Sequence, residues 1–491
     1  MYRVYKVQLS GLLADLGVRG SDILVVRNPL DPVVMASIGQ TARRRVEQSD
    51  IDSLKSVLSA RNTAVLSPSD AEYLASLKRW SSAAEKPAGA VVVPATVEEV
   101  SDIVKYANEQ GLDLAVKGGG HSTAGVSSTN GGLLIDLGKM RRVDVDRNHK
   151  LFRIQGGANW GDVDNAGVKH GLATVGGTVT DTGVGGLTLG GGYGWLSGQY
   201  GLVIDNLVEC TIVLANGDIK RARQDENADL FWALRGAGQN FGVVTEFVLK
   251  AYDQGDVWAG LLLYPSTTEI IEKVVAATND IYGPKEGRTK IAGRAGGGIA
   301  LARPPPANGQ VMLLVPIIFF GTEEEGKQAF KPFFDIGPVV STMAMVPYPV
   351  INTILAAPIG LRASMKGAAF TMPIRAGFVQ EVLQEYVKFT EGNEDRGASL
   401  VLWEVYDPSR VTSKEGGAFA NRGWHLNGMI CPIWTKIDGD QECRQWARDV
   451  NEMFKAELAR SGPGTGTGVD GGVGLRGKKG AVLLYGNYDR K

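Results

Sequence analysis

The segment Lys117-Gly-Gly-Gly-His-Ser122 sets one of the chain's four histidines at the end of a glycine turn. Only glycine lets backbone turn this tightly with its N–H groups facing outward, and a nest of such amides suits phosphate. His121 sits at the rim of that nest, placed to touch whatever carries the phosphates. A second glycine run, Gly183-Val-Gly-Gly-Leu-Thr-Leu-Gly-Gly-Gly-Tyr-Gly194, and the stretch Asn240-Phe-Gly-Val-Val244 put more backbone where it must pass something flat or charged. One run alone is equally well explained by a tightly packed turn. Two in one domain, with the third stretch beside them, point to a large bound ligand.

The candidates for moving a proton are few. If Leu402-Trp-Glu-Val-Tyr406 is a strand, Glu404 and Tyr406 share one face and Trp403 and Val405 the other. That face is either a pair turned towards a ligand or an ordinary solvated surface. Tyr488, in Tyr485-Gly-Asn-Tyr488, is a third candidate, since a tyrosinate acts as a base where its neighbours lower its pKa. His149, in a polar turn, and His170, at a helix end, read as solvated. His425, in Arg422-Gly-Trp-His425, is the better second histidine for a site. No His/Cys/Asp/Glu cluster has metal-ligand spacing. Cys210, Cys431 and Cys443 form no CxxC and read as free buried thiols, with a disulfide between one pair as the alternative.

The elements that must hold these residues are legible from about Val91. Val91-Val-Val-Pro-Ala-Thr96 reads as a strand running into a helix, with Thr96 as N-cap and Glu99 completing a capping box. Val97, Val100, Ile103, Val104 and Ala107 make one apolar face, and Gly111 ends the helix. Strands follow at 112–116 and 133–137, a helix at 160–170 and a long glycine-rich loop over 176–194. Residues 208–221 read as a hairpin on a type I′ Asn216-Gly217 turn. A short helix over 229–235 and a strand ending at Leu249 complete this part. From Trp258 to about Trp434 glycine thins and longer helices and strands alternate, the mark of a second domain, with a helix expected over 441–459.

Two glycine-rich motifs near the end carry less. Gly466-Thr-Gly-Val-Asp-Gly471 matches GxGxxG but follows a helix instead of a strand. Gly472-Val-Gly-Leu-Arg-Gly-Lys478 approaches a phosphate loop but is followed by Lys479 where Ser or Thr is needed. Both read as a flexible tract over 461–480.

At 491 residues the chain is too long for one core. Its net charge of −1, well mixed, gives no footprint for nucleic acid or an anionic membrane. Of its 65 glycines, 23 fall between Gly118 and Gly201, so the excess is local and belongs to the presumed ligand site. The longest apolar run, 311–320, is broken by Pro316 and too short for a bilayer. The start of the chain has no signal-peptide core and there is no Asn-x-Ser/Thr sequon, which leans the expectation towards a cytoplasmic protein.

Taken together and in order, the following segments resemble the FAD-binding domain of the vanillyl-alcohol oxidase and p-cresol methylhydroxylase superfamily, and within it the berberine bridge enzyme-like oxidases. They are Val93-Pro94 and its helix, Gly119-Gly-His-Ser122, Gly183-Val-Gly-Gly186, Gly190-Gly-Gly192, Tyr200-Gly-Leu with Asp205-Asn206, Asp229-Leu-Phe-Trp-Ala-Leu-Arg235-Gly and Asn240-Phe-Gly-Val-Val244. Ala418-Phe-Ala-Asn-Arg422 and Trp434 resemble the substrate domain more loosely.

The resemblance implies an α+β fold: a two-subdomain FAD-binding domain of the p-cresol methylhydroxylase type and an α+β substrate domain with an antiparallel sheet. The division expected is an N-terminal extension over 1–50, the FAD domain over 51–255 with its core at 85–255, the substrate domain over 256–470, and a C-terminal segment over 471–491 returning to the flavin. It implies FAD held by Gly118, Gly119, Gly120, His121, Ser122, Thr182, Gly185, Gly186, Gly190, Gly191, Tyr193, Gly242, Val243, Val244 and Asn487, with His121 bonded to the flavin. Doubly linked relatives carry a cysteine four residues before the first glycine of the GVGG stretch, and here that position is Val179, so a single link, or none with FAD held noncovalently, is expected. Thr182 stands near the family's oxygen-gating position. Related chains continue beyond the Asn-Tyr motif, so an end at Lys491 is read as a shortened or altered C-terminus.

The implied activity is oxidation of a small organic metabolite by hydride transfer to flavin N5, with oxygen as acceptor, in secondary metabolism. The alternatives are a redox-neutral cyclase using flavin as scaffold, and a non-catalytic flavoprotein. Glu404, Tyr406 and Tyr488 remain the candidates for the base.

Overall fold

The computed structural model describes residues 43–61, 63–285, 287, 289–304 and 309–460. Asn487, Tyr488 and the glycine tract from 461 lie outside the described residues. The fold is α+β. A four-stranded sheet is built from Ala64–Leu66, Ala90–Val93, Leu133–Asp136 and Leu114–Lys117, in that spatial order. The last three run parallel, so the helix Val97–Glu109 is a crossover between them. Alternation along the strands gives each face its own packing. Val92, Leu133 and Ile135 meet Val100, Ile103 and Val104 of that helix, while Val91, Leu134 and Ala115 meet Tyr73 and Leu77 on the opposite face.

Thr96 caps the helix through its hydroxyl, which accepts from the Glu99 N–H. The Glu99 carboxylate accepts from the Ala95 N–H, one residue before the position a capping box would use. The ordered domain reaches further back than residue 51. Helix Gln48–Val57 starts before that boundary, and Arg44 bridges to Leu112.

The second subdomain is a five-stranded antiparallel sheet in the order Val143–Asp146, Leu151–Gln155, Val243–Lys250, Leu207–Val213, Ile219–Arg223. The hairpin at its edge departs from the expected type I′ turn. Only Gly217 has positive φ, at 86°, and Asn216 does not. The Leu214 carbonyl accepts from the Gly217 N–H, and the Leu214 N–H donates to the Asp218 carbonyl. That is the longer hairpin loop in which an αL glycine follows a turn. The 176–194 stretch is not loop throughout, because Val184–Leu189 closes a short helix inside it.

The remaining large unit is an eight-stranded antiparallel sheet. Its main path runs Val340–Ser341, Val257–Pro265, Met312–Phe319, Ala295–Ala302, Leu400–Tyr406, Leu426–Cys431, Lys366–Phe370. Helices Thr268–Tyr282, Ala376–Thr390 and Asp440–Arg460 bury their apolar faces on one side of it, against Ile299, Leu301, Val401, Trp403 and Val405. The opposite side of the sheet faces the two glycine-rich subdomains. The three cysteines are free and buried. Among the described residues no helix is long and apolar enough to cross a membrane, and no group of side chains could hold a metal ion.

Candidate active site

A cavity of about 1130 Å³ lies between the glycine-rich subdomains and the uncovered face of the large sheet. Small-molecule sites usually span about 300–1,000 Å³, so there is room for a large cofactor with a substrate beside it.

One wall is nearly all backbone. The turn after strand Leu114–Lys117 brings Gly118, Gly119, Gly120, His121 and Ser122 to the surface of the cavity, and Gly120 takes φ +71°. The two glycine runs touch. A Cβ on Gly119 would stand 2.5 Å from the Gly183 nitrogen, and one on Gly183 would stand 2.5 Å from the Gly119 nitrogen. Any side chain at either position would push the runs apart. Thr182, Gly185, Gly186 and Tyr193 continue the wall, and Gly242, Val243 and Val244 close it. A Cβ on Gly186 would meet nothing within 4 Å, so its bare face is turned to open space. A flat group could lie against such a surface.

His121 lines this wall with its ring stacked on Trp80, centroids 4.7 Å apart. Its Nε2 stands 3.8 Å from Asp181 Oδ1. Val179 also lines the cavity, and no cysteine does so on this side.

The facing wall is the large sheet. Along Leu400–Tyr406, Leu400, Leu402, Glu404, Val405 and Tyr406 line the cavity, while Val401 and Trp403 pack under the helices. The Glu404–Tyr406 face is therefore not a solvated surface. The neighbouring strand Ala295–Ala302 contributes only Gly296, Gly297, Ala300 and Ala302, and Gly298 is paired opposite Glu404. Met365, Met429, Cys431 and Leu314 complete a largely apolar floor. Among the described lining residues Glu404 is the only carboxylate and Arg303 the only Lys or Arg. Arg303 lies five residues along the strand from Gly298, roughly 17 Å at strand rise.

Two of the glycines expected at the cofactor do other work. Gly190 caps the short helix, and neither it nor Gly191 is on the cavity wall. Gly191, at φ +116°, makes way for Phe419, whose ring would lie 2.4 Å from a Cβ there. Gly236 makes way for the same residue. The segment 418–425 is thus seated on the glycine-rich domain. Tyr193 donates to the Asn421 carbonyl at 3.0 Å, and Asn421 Oδ1 meets His425 Nε2 at 2.5 Å. His425 is buried in this network and is not on the cavity wall. Tyr406 packs against Tyr193 with centroids 5.6 Å apart, linking the network to the strand that carries Glu404. His149 pairs with Asp146 on the surface, and His170 is exposed.

Sequence reasoning missed Trp80, Asp181 and the small-residue floor. Trp80 has no local signal, standing far from His121 along the chain. Asp181, two residues before Gly183, belongs to the same glycine-rich stretch.

Residues 88–223 match the family described as an FAD binding domain. Over 378 residues the chain is 30% identical to an FAD-linked oxidoreductase of Dictyostelium discoideum, covering 76% of this chain and 79% of that one. The chain belongs to the FAD-linked oxidoreductases. It is also 39% identical over 299 residues to one from Aspergillus terreus, a match that spans 60% of this chain and 59% of the relative. Its fold matches that of Physcomitrella patens BBE-like 1, with a TM-score of 0.71 at 17% identity, covering 89% of this chain and 90% of that one. It likewise matches a glucooligosaccharide oxidase from Acremonium strictum described with a 6-S-cysteinyl, 8α-N1-histidyl FAD, with a TM-score of 0.67 at 21% identity over 83% and 88% of the two chains. The FAD-linked oxidoreductase family read from the motifs is borne out, and the fold matches that of a berberine bridge enzyme-like protein. The cofactor of this oxidoreductase is FAD, and the glycine wall with its open face at Gly186 suits a flat dinucleotide.

Proposed function

We propose that this enzyme oxidises a hydroxyl or amine on a small, largely apolar metabolite of the kind made in secondary metabolism, with oxygen as final acceptor. The observation that carries this reading is the placement of Glu404 and Tyr406, on one strand face, across the same cavity from His121 and the glycine wall. FAD, when bound against the glycine wall, would supply the redox chemistry as a two-electron acceptor that oxygen can reoxidise.

The chain's own residues supply the rest. Glu404 takes the proton of the substrate hydroxyl or amine. A carboxylate is ordinarily ionised near neutral pH, whereas a tyrosine hydroxyl ordinarily is not. Tyr406, braced by Tyr193, orients the same group. Leu400, Leu402, Met365 and Met429 exclude water and favour an apolar substrate body over a sugar, which would call for many more hydrogen-bonding side chains. The floor of small residues at Gly296, Gly297 and Ala300 admits a ring system. His121 is the covalent tether to the flavin, and Val179 leaves it without a cysteine partner. Thr182, on the cavity wall, would stand near the family's oxygen-gating position.

Anaerobic stopped-flow tests this directly. With phenolic, alkaloid-type and sugar substrates offered in turn, the apolar compounds should bleach the flavin absorbance. Glu404→Gln should slow bleaching about 10²–10⁴-fold while leaving the bound flavin spectrum intact. Turnover without bleaching would overturn the oxidase reading in favour of a redox-neutral reaction.

A further inference from the structure

A histidine that forms a bond through one ring nitrogen depends on what holds the other. His121 is held on two sides. Its ring lies nearly parallel to that of Trp80, with planes 20° apart. Its Nε2 faces Asp181 Oδ1 at 3.8 Å. Both of these atoms are buried, and neither has a hydrogen-bond partner among the described residues. A potential donor and a potential acceptor thus face each other across a gap about 1 Å longer than a hydrogen bond. Burying either without a partner costs free energy, so the pair has reason to close. Rotation of the imidazole within the plane that Trp80 allows would bring them together.

We propose that Asp181 is the positioning residue for covalent attachment of FAD. The proposal rests on the histidyl-tether reading above and extends it to a second residue. Accepting from Nε2–H, Asp181 fixes the tautomer in which Nδ1 carries the lone pair, as the buried aspartate of a catalytic triad does for its histidine. Attachment joins Nδ1 to the 8α carbon of the flavin, which gives up one proton. The alkylated ring then loses its Nε2 proton towards Asp181. The two electrons released enter the flavin, and molecular oxygen removes them with the two protons as hydrogen peroxide. Trp80 holds the ring plane throughout, and Asp181 carries the negative charge that favours a cationic ring at the moment the bond forms.

The test uses full-length protein made under riboflavin limitation and supplied with FAD. Attachment is followed as flavin fluorescence and mass retained on acid-precipitated protein. Wild-type protein should retain the flavin. Asp181→Asn and Asp181→Ala should bind FAD but attach it roughly tenfold or more slowly, the scale seen when the orienting partner of a histidine is removed. Asp181→Glu should recover part of the rate. A merely structural role is separated by affinity: His121→Ala and the His121→Ala/Asp181→Asn double variant should bind FAD with Kd values within about twofold of each other. Attachment at the wild-type rate in Asp181→Asn would overturn the proposal with the tether intact. A matching loss of FAD affinity in the double variant would reduce Asp181 to a packing residue. A colourless wild-type pellet would remove the tether itself, and this proposal with it.

Discussion

Arg422 closes both ends of its guanidinium on Asp205, at 3.1 Å and 2.7 Å, joining the large-sheet unit to the glycine-rich unit. Their side chains are only 11% and 5% exposed. Arg422 also donates to the Val411 carbonyl, and Asp205 accepts from the Leu202 N–H. The pair therefore sits inside a satisfied network, the setting in which a buried ion pair holds its place. Removing one partner leaves the other charge buried alone, which typically costs about 3–5 kcal/mol. Arg422→Ala should lower unfolding free energy by about that much in urea. Replacing both by apolar residues should cost less than the single change. A single variant as stable as wild type would show that the domain contact does not depend on this pair.

Much of this arrangement could be read along the chain, and the failures share a cause. Thr96, the crossover helix and the one-sided placement of Glu404 and Tyr406 follow from local periodicity and capping, which a sequence displays directly. The Asn216-Gly217 turn was misread because the dipeptide fits two hairpin loops and the choice lies in the pairing of Leu214 with Asp218. The helix Val184–Leu189 was hidden by glycines that disfavour helix on their own. Gly191 looked like a cofactor glycine, yet its constraint comes from Phe419, more than two hundred residues away. Trp80 beside His121 is a contact of the same long-range kind. What sequence showed was the ligand-facing backbone; what it concealed was which distant side chain each glycine clears.

Gly119 and Gly186 should separate folding from cofactor binding. A methyl group on Gly119 would overlap the Gly183 backbone, so Gly119→Ala should yield little folded protein. Gly186 lies within the helix Val184–Leu189 and its Cβ would point into open space. Alanine is favoured over glycine in a helix by about 1 kcal/mol. The apoprotein of Gly186→Ala should melt at or slightly above wild type but purify with much less FAD. Full yellow occupancy in that variant would mean that the flavin does not lie against Gly186.

Asp164 should give stability an unusual dependence on pH. Burial raises its pKa to about 7, against the opposing effect of the hydrogen bond from Asn352. Asn352 Nδ2 donates to Asp164 at 2.6 Å and its Oδ1 accepts from Trp195, which lines the cavity. Because the folded pKa lies above the unfolded value of 3.8, the folded state holds the extra proton between them. Stability from this group is therefore greatest below about pH 4, falls as pH rises to about 7, and is level above that. Asp164→Asn should remove the slope, gaining on wild type by a few kcal/mol between pH 4 and 7.5 in urea titrations. A constant difference between the two proteins across that range would place Asp164 in its ionised form throughout.

Val179 offers a way to test whether His121 is the only tether. It lines the cavity on the same wall as Thr182 and Gly183. If the flavin lies as proposed, Val179→Cys places a thiol beside its ring. In wild type, His121→Ala should release all flavin into the acid supernatant. In the Val179→Cys background the same His121→Ala change should leave part of the flavin on the protein, with the absorbance shift expected of a thioether on the ring. Complete release from the double variant, with FAD still bound before acid, would mean that the thiol does not reach the flavin ring. The wall formed by residues 179–186 would then sit too far from it to have carried a second bond.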